Sequence, residues 1–151
     1  MELIRNFVVE GEPKGKGRPR FSRNGCPPRT PDDTVAYENL VRLSYRQQNP
    51  AEEMYPPGIP VCVNIAVFYK IPKNTSKKRL SDMLVDKYRP TKKPDCDNIA
   101  KIICDALNGI AYHDDAQIVD LSVRKHYSAH PRVYVSIGSM AEINELEGTK
   151  C

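Results

Sequence analysis

The sequence predicts an α+β domain, a two-layer sandwich in which a four-stranded mixed sheet carries the long helices on one face. Three observations lead there. Four short runs rich in Val, Ile and Tyr read as strands, and two longer stretches carry apolar residues at helical spacing. The last two strands also follow one another with no helix between them.

In chain order, Leu3 to Glu10 is short, apolar and partly β-branched, and reads as the first strand. Gly11 to Pro31 is crowded with Gly, Pro, Lys and Arg, lacks apolar periodicity and is read as a loop. A helix is expected over Thr34 to Gln48. Asp32, Asp33 or Thr34 would cap it, with Tyr37, Leu40, Val41, Ser44 and Tyr45 along one face. Pro50 to Pro60 holds four prolines and interrupts regular structure. Val61 to Tyr69 alternates as a second strand, with Val61, Val63, Ile65, Val67 and Tyr69 on one side.

Ser76 to Lys87 has a weak helical pattern and a basic start. Tyr88 to Pro94 is extended, since Pro90 and Pro94 disfavour helix in the residue before each. The clearest helix runs from Asn98 to Asn108, where Ile99, Ile102, Ile103, Ala106 and Leu107 form an apolar stripe and Gly109 supplies the stop. Ala116 to Tyr127 and Arg132 to Gly138 are two more strands, expected to pair through the turn around His130 and Pro131. Residues 1–139 are read as one domain, and the acidic segment 140–151 as a loose tail.

Composition bounds the function classes. The chain of 151 residues is 40% hydrophobic and 28% charged, with a formal net charge of +4. That mild basicity alone does not identify a polyanionic partner. The five cysteines are odd in number, widely spaced and without a Cys-x-x-Cys pair, so zinc ligation is not expected. Cys104 sits among apolar residues and reads as a core thiol. There is no apolar run of about 18 residues and no secretory h-region, so a cytoplasmic protein free of the membrane is the default expectation.

Three constellations carry chemistry. In Lys93-Pro94-Asp95-Cys96-Asp97-Asn98, two aspartates two residues apart in an extended stretch aim at one point. Such a pair repels itself unless a cation lies between, and a few hard oxygen ligands suit Mg²⁺. A helix cap explains one of the two equally well. At about 100° per residue, Asp97, Lys101 and Asp105 then share a polar sector opposite the apolar stripe. Lys101 is placed to neutralise a phosphate, or to form a solvated i,i+4 pair. The second constellation, His113-Asp114-Asp115-Ala116-Gln117, lies past the Gly109 turn at a strand entry. Its third carboxylate reaches the helix only if that strand runs back alongside. In the third, Lys14-Gly15-Lys16-Gly17-Arg18-Pro19-Arg20-Phe21-Ser22-Arg23, five cations fall in ten residues. Its glycines let the backbone approach phosphates and its arginines offer forked donors, which suits contact with a nucleic-acid backbone. Lys73 and Lys77-Lys78-Arg79 extend that basic footprint.

Taken together, Lys-Pro-Asp95-Cys-Asp97-Asn98-Ile-Ala-Lys101-Ile-Ile-Cys-Asp105-Ala-Leu-Asn-Gly109 and Asp114-Asp115-Ala-Gln117-Ile-Val-Asp120 resemble the RusA-type Holliday junction resolvases. The Gly-Lys-Gly-Arg-Pro-Arg-Phe loop is similar to the basic loop of phage and prophage members. The resemblance covers most of Leu3 to Gly138. It implies a small α+β homodimer that binds four-way DNA junctions and nicks two strands symmetrically with Mg²⁺, or Mn²⁺ in its place. By the same resemblance, Asp95, Asp97 and Asp115 are the metal-binding catalytic acids and Lys101 the catalytic lysine. Asn98, Asp105, Asp114 and Gln117 take supporting positions, and Lys14, Lys16, Arg18, Arg20 and Arg23 meet DNA. The Pro50–Pro60 segment, the Ser76–Lys87 region and the tail depart from the family pattern. A non-catalytic junction-binding protein and a less selective flap or fork nuclease are the alternatives.

Overall fold

A computed structural model of the chain describes residues 4–148. Its elements run β1 (Arg5–Glu10), α1 (Asp32–Gln48), β2 (Val61–Lys70), α2 (Lys77–Leu84), α3 (Cys96–Leu107), β3 (Ile118–Ser128), β4 (Arg132–Ser139) and α4 (Met140–Gly148). A short 3₁₀ turn, Asp115–Gln117, leads into β3. The Leu3 start expected for β1 and the end of the tail, including Cys151, lie outside the described residues.

The four strands form one mixed sheet in the order β1-β4-β2-β3. β2 runs parallel to β3 and antiparallel to β4, and β1 pairs antiparallel with β4. The expected hairpin between β3 and β4 does not form, because β2 lies between them. The reason is burial. β2 is the most continuously apolar strand, and Val61, Val63, Ile65, Val67 and Tyr69 are all buried on one face. β3 is half polar and exposes Val119 and Leu121, a composition suited to an edge. Residues 89–92 border it there, with Arg89 Nε donating to the Lys125 carbonyl at 2.9 Å and Lys125 Nζ to the Lys92 carbonyl at 2.6 Å.

The core forms where α1 and α3 cover the sheet. Tyr37, Val41 and Tyr45 of α1 and Ile99, Ile102, Ile103 and Leu107 of α3 meet Phe7, Val9, Val63, Ile65, Val133 and Val135. Burying one such side chain contributes about 1.5–3 kcal/mol, which identifies this stripe as what seats α3. Leu40, expected on the buried face of α1, is 39% exposed instead. α1 starts at Asp32 after Pro31, without a side-chain cap. Asp32 and Asp33 therefore occupy its first turn, where negative charge complements the helix dipole.

The segment expected to be a loose tail is helical over Met140–Gly148. Glu142 accounts for this docking. Its carboxylate accepts the Ser139 N–H at 2.7 Å and the Tyr55 hydroxyl at 2.9 Å, while Ser139 Oγ accepts the Glu142 N–H at 3.2 Å. Ile143 packs against Gly138, on the sheet face opposite α1 and α3. Among the described residues no helix is long and apolar enough to cross a membrane.

Candidate active site

Two contacts place the start of α3. The Tyr69 hydroxyl donates to the Pro94 carbonyl at 2.7 Å, and the Lys16 N–H donates to the Asn98 carbonyl at 3.1 Å. The helix begins at Cys96, two residues earlier than the sequence suggests. Asp95 takes the N-cap position with extended backbone, yet its carboxylate makes no capping hydrogen bond. Asp97 sits inside the first turn. The pair is therefore not an extended Asp-x-Asp: on a helix, a two-residue step turns a side chain by about 200°.

Asp97, Lys101 and Asp105 follow one another by single helical turns. With Asp115, Asp120 and Leu121 at the entry to β3, they line an open cleft of about 560 Å³. β3 thus runs back beside α3, the condition on which the reach of Asp115 depends. Asp95 and the exposed His113 are not among the residues lining this cleft. Asp105, given only a supporting position from the sequence, and Asp120, assigned no role there, do line it. The helical spacing from Lys101 signals Asp105, but nothing local signals Asp120.

Asp114 and Gln117 hold the turn that presents Asp115. Asp114 Oδ1 accepts the Ala116 N–H at 3.2 Å, and Gln117 Oε1 accepts the Asp114 N–H at 2.9 Å, a reciprocal cap. Gln117 Nε2 also donates to the carbonyls of Pro56 and Ile59, at 2.8 and 3.1 Å. The bond from Ala116 holds Asp114 below the ordinary carboxylate range. Asp115 is pushed up, first by adjacent Asp114, then by burial and the nearby negative charge.

Among the described residues, no three His, Cys, Asp or Glu side chains are gathered closely enough to hold one metal ion as they stand. Helix rise contributes to this, since the eight residues from Asp97 to Asp105 advance about 12 Å. The chemistry of the donors nonetheless fits a hard divalent cation. Among the described residues four carboxylates line the cleft and no imidazole does. Its one thiol, Cys104, is buried and pushed up to about 11 by that burial, so it is a poor ligand at neutral pH.

The basic loop divides into two parts. Lys16 is turned inward: its ammonium pairs with Glu38 of α1, and with Asp105 of α3 at 3.2 Å. Arg42 Nη2 approaches the other Glu38 oxygen at 3.5 Å. Burial alone would lower Lys16, but the two carboxylates more than offset it and its pKa is raised. Gly15 and Gly17 serve the same seating. A Cβ on Gly15 would lie 2.9 Å from Pro94 Cβ, and one on Gly17 would lie 2.6 Å from Thr34 Oγ1. The close approach legible in these glycines is thus to α3 and α1. Lys14, Arg18, Arg20 and Arg23 are exposed, and among the described residues no carboxylate pairs with any of them. A short bridge between Arg20 and Arg29 closes the outer loop. Lys101 is likewise exposed and free of an ion pair among the described residues, because Asp105 pairs with Lys16 instead.

The family model described as endodeoxyribonuclease RusA matches residues 10–138 of the chain, a span that includes the basic loop, the cleft and all four strands in whole or part. The chain is also 42% identical over 141 residues to the uncharacterized protein YqaN of Bacillus subtilis (strain 168), covering 91% of this chain and 96% of that relative.

Proposed function

The chain belongs to the RusA family of endodeoxyribonucleases, and from that premise we propose that it resolves four-way DNA junctions by divalent-metal-dependent, symmetric phosphodiester hydrolysis. Membership makes it a nuclease that cuts DNA strands internally. The observation that carries the finer reading is the cleft itself. Carboxylates of α3 and of the entry to β3 line it together with Lys101, beside a loop whose outer cations, like Lys101, form no ion pair among the described residues.

In this reading Asp97 and Asp115 would hold Mg²⁺, or Mn²⁺ in its place, and Asp95, which stands at the α3 N-cap outside the cleft lining, would complete the set only by turning toward the cleft. When bound there, a divalent ion would lower the pKa of a water and neutralise charge at the phosphate. Lys101 offsets negative charge developing on the phosphate in a cleft whose lining also includes apolar Ala100 and Leu121. Lys14, Arg18, Arg20 and Arg23 grip the DNA backbone, which positions the scissile bond without reading its sequence. Asn98, Asp114 and Gln117 fix the two ends of the cleft. A homodimer matches a substrate with two equivalent strands to cut, and the reaction belongs to DNA recombination and repair in a bacterial or phage cytoplasm.

The test is cleavage of a labelled four-way junction, a flap and a linear duplex, each with and without Mg²⁺, alongside sedimentation of the free protein. Paired, symmetric nicks in the junction that need the metal, from a sedimenting dimer, are expected. Equal cutting of the flap would demote the enzyme to a general branched-DNA nuclease. Junction binding without any cutting, over a range of divalent ions, would overturn the catalytic reading.

A further inference from the structure

The stretch from residue 72 to residue 91 builds a second cavity, remote from the cleft. It measures about 640 Å³, against about 560 Å³ for the cleft, and lies between residues 72–76, α2 and the 88–91 stretch. Lys73, Arg79 and Arg89 line it, together with Tyr88, Tyr127 and Met83; among the described residues no carboxylate lines it, and Asp82 lines the adjoining hollow that shares Arg79 and Tyr88. None of the three cations forms an ion pair among the described residues. Three cations gathered in one concavity repel one another, and an anion entering it relieves that repulsion. The Arg79 guanidinium lies 4.6 Å from the Tyr88 ring centroid, and that ring is 45% exposed. A guanidinium plane laid on an aromatic ring is a platform on which a nucleobase continues the stack.

Position along β3 relates this cavity to the cleft. Leu121 lines the cleft and Tyr127 the cavity. Both sit on the same sheet face, opposite buried Val63 and Tyr69 of β2. Six strand residues separate them, about 20 Å, or roughly six nucleotide steps of DNA at 3.4 Å each.

We propose that this cavity is a subsite for an unpaired stretch of the DNA substrate, its phosphates held by Lys73, Arg79 and Arg89 and a base stacked on the Arg79–Tyr88 pair. It rests on the reading of the chain as a DNA nuclease and adds to it a site for single strand. The subsite recognises unpaired bases because a duplex keeps its base faces stacked internally, out of reach of Tyr88.

The test uses fluorescence anisotropy in EDTA, so that no strand is cut. The probes are a blunt duplex, the same duplex with a ten-nucleotide single-stranded overhang, and a four-way junction. Wild type should bind the overhang duplex tighter than the blunt one. Tyr88→Ala should weaken the overhang complex about tenfold, within the range of one lost base stack, and leave the blunt duplex unchanged. Tyr88→Phe keeps the ring and should retain wild-type affinity, which separates stacking from a structural role. Lys73→Ala should lower the salt slope on the overhang probe by about 0.7, the value for one single-strand phosphate contact. If Tyr88→Ala and Lys73→Ala both bind the overhang probe like wild type, the subsite is refuted even where wild type still nicks junctions. If wild type cuts no DNA with Mg²⁺ yet loses overhang affinity on Tyr88→Ala, the nuclease reading fails and the subsite stands.

Discussion

Lys16→Ala separates the two halves of the basic loop. As a phosphate contact, Lys16 would be exposed and its loss would weaken DNA binding. The structure instead places its ammonium between Glu38 and Asp105, with the Lys16 and Glu38 side chains only 19% and 11% exposed. Removing one partner of a fully buried pair costs about 3–5 kcal/mol. Here Arg42 still reaches Glu38 and Asp105 is partly solvated, so about 2 kcal/mol is expected. For a chain of this size that corresponds to a fall in Tm of about 4–8 °C. The metal-free affinity for a junction should change little in its salt dependence. Arg18→Ala with Arg20→Ala should do the reverse, leaving Tm near wild type and lowering the salt slope by about 1.8, or about 0.9 for each lost duplex contact. Melting by circular dichroism and anisotropy over a salt series read the two effects separately. A Lys16→Ala protein that melts within about a degree of wild type and loses about 0.9 of salt slope would refute the inward assignment.

Three further outcomes are expected. Asp97→Asn should abolish Mg²⁺-dependent nicking while junction binding stays intact or tightens, because a carboxylate facing the phosphates is removed; gel-shift and nicking assays on one preparation check both. Lys101→Ala should leave Tm unchanged, since the exposed lysine has no ion pair among the described residues. It should slow single-turnover cleavage by the equivalent of about 2–4 kcal/mol, in line with other electrostatic catalytic groups, and Lys101→Arg should restore part of the rate. At pH 8 a thiol reagent should modify the exposed Cys26 and Cys96 first. It should spare Cys104, whose thiol, pushed up to about 11 by burial, is almost wholly protonated there and gains thiolate only as pH rises towards that value. Peptide mapping that finds Cys104 labelled as fast as Cys96 in folded protein would contradict that burial.

What the sequence determined by itself is local. The stripe from Ile99 to Leu107 placed α3, Gly109 ended it with a positive φ of 74°, and alternation placed β2. Helical spacing put Asp97, Lys101 and Asp105 on one face, because these features depend only on residues within a turn or two of each other. Tertiary structure decided the rest. That β2 separates β3 from β4 follows from competition among strands for burial, which no single strand encodes. That β3 returns beside α3, bringing Asp115 and Asp120 to the cleft, follows from the parallel pairing of β2 with β3. The start of α3 at Cys96, and with it the divergence of Asp95 from Asp97, depends on contacts from Tyr69 and Lys16, distant in the chain. Five cations in the basic loop look alike in sequence. Only the carboxylates of Glu38 and Asp105, supplied by two helices packed side by side, distinguish Lys16 from its neighbours, because an ion pair forms where the fold brings opposite charges together out of water.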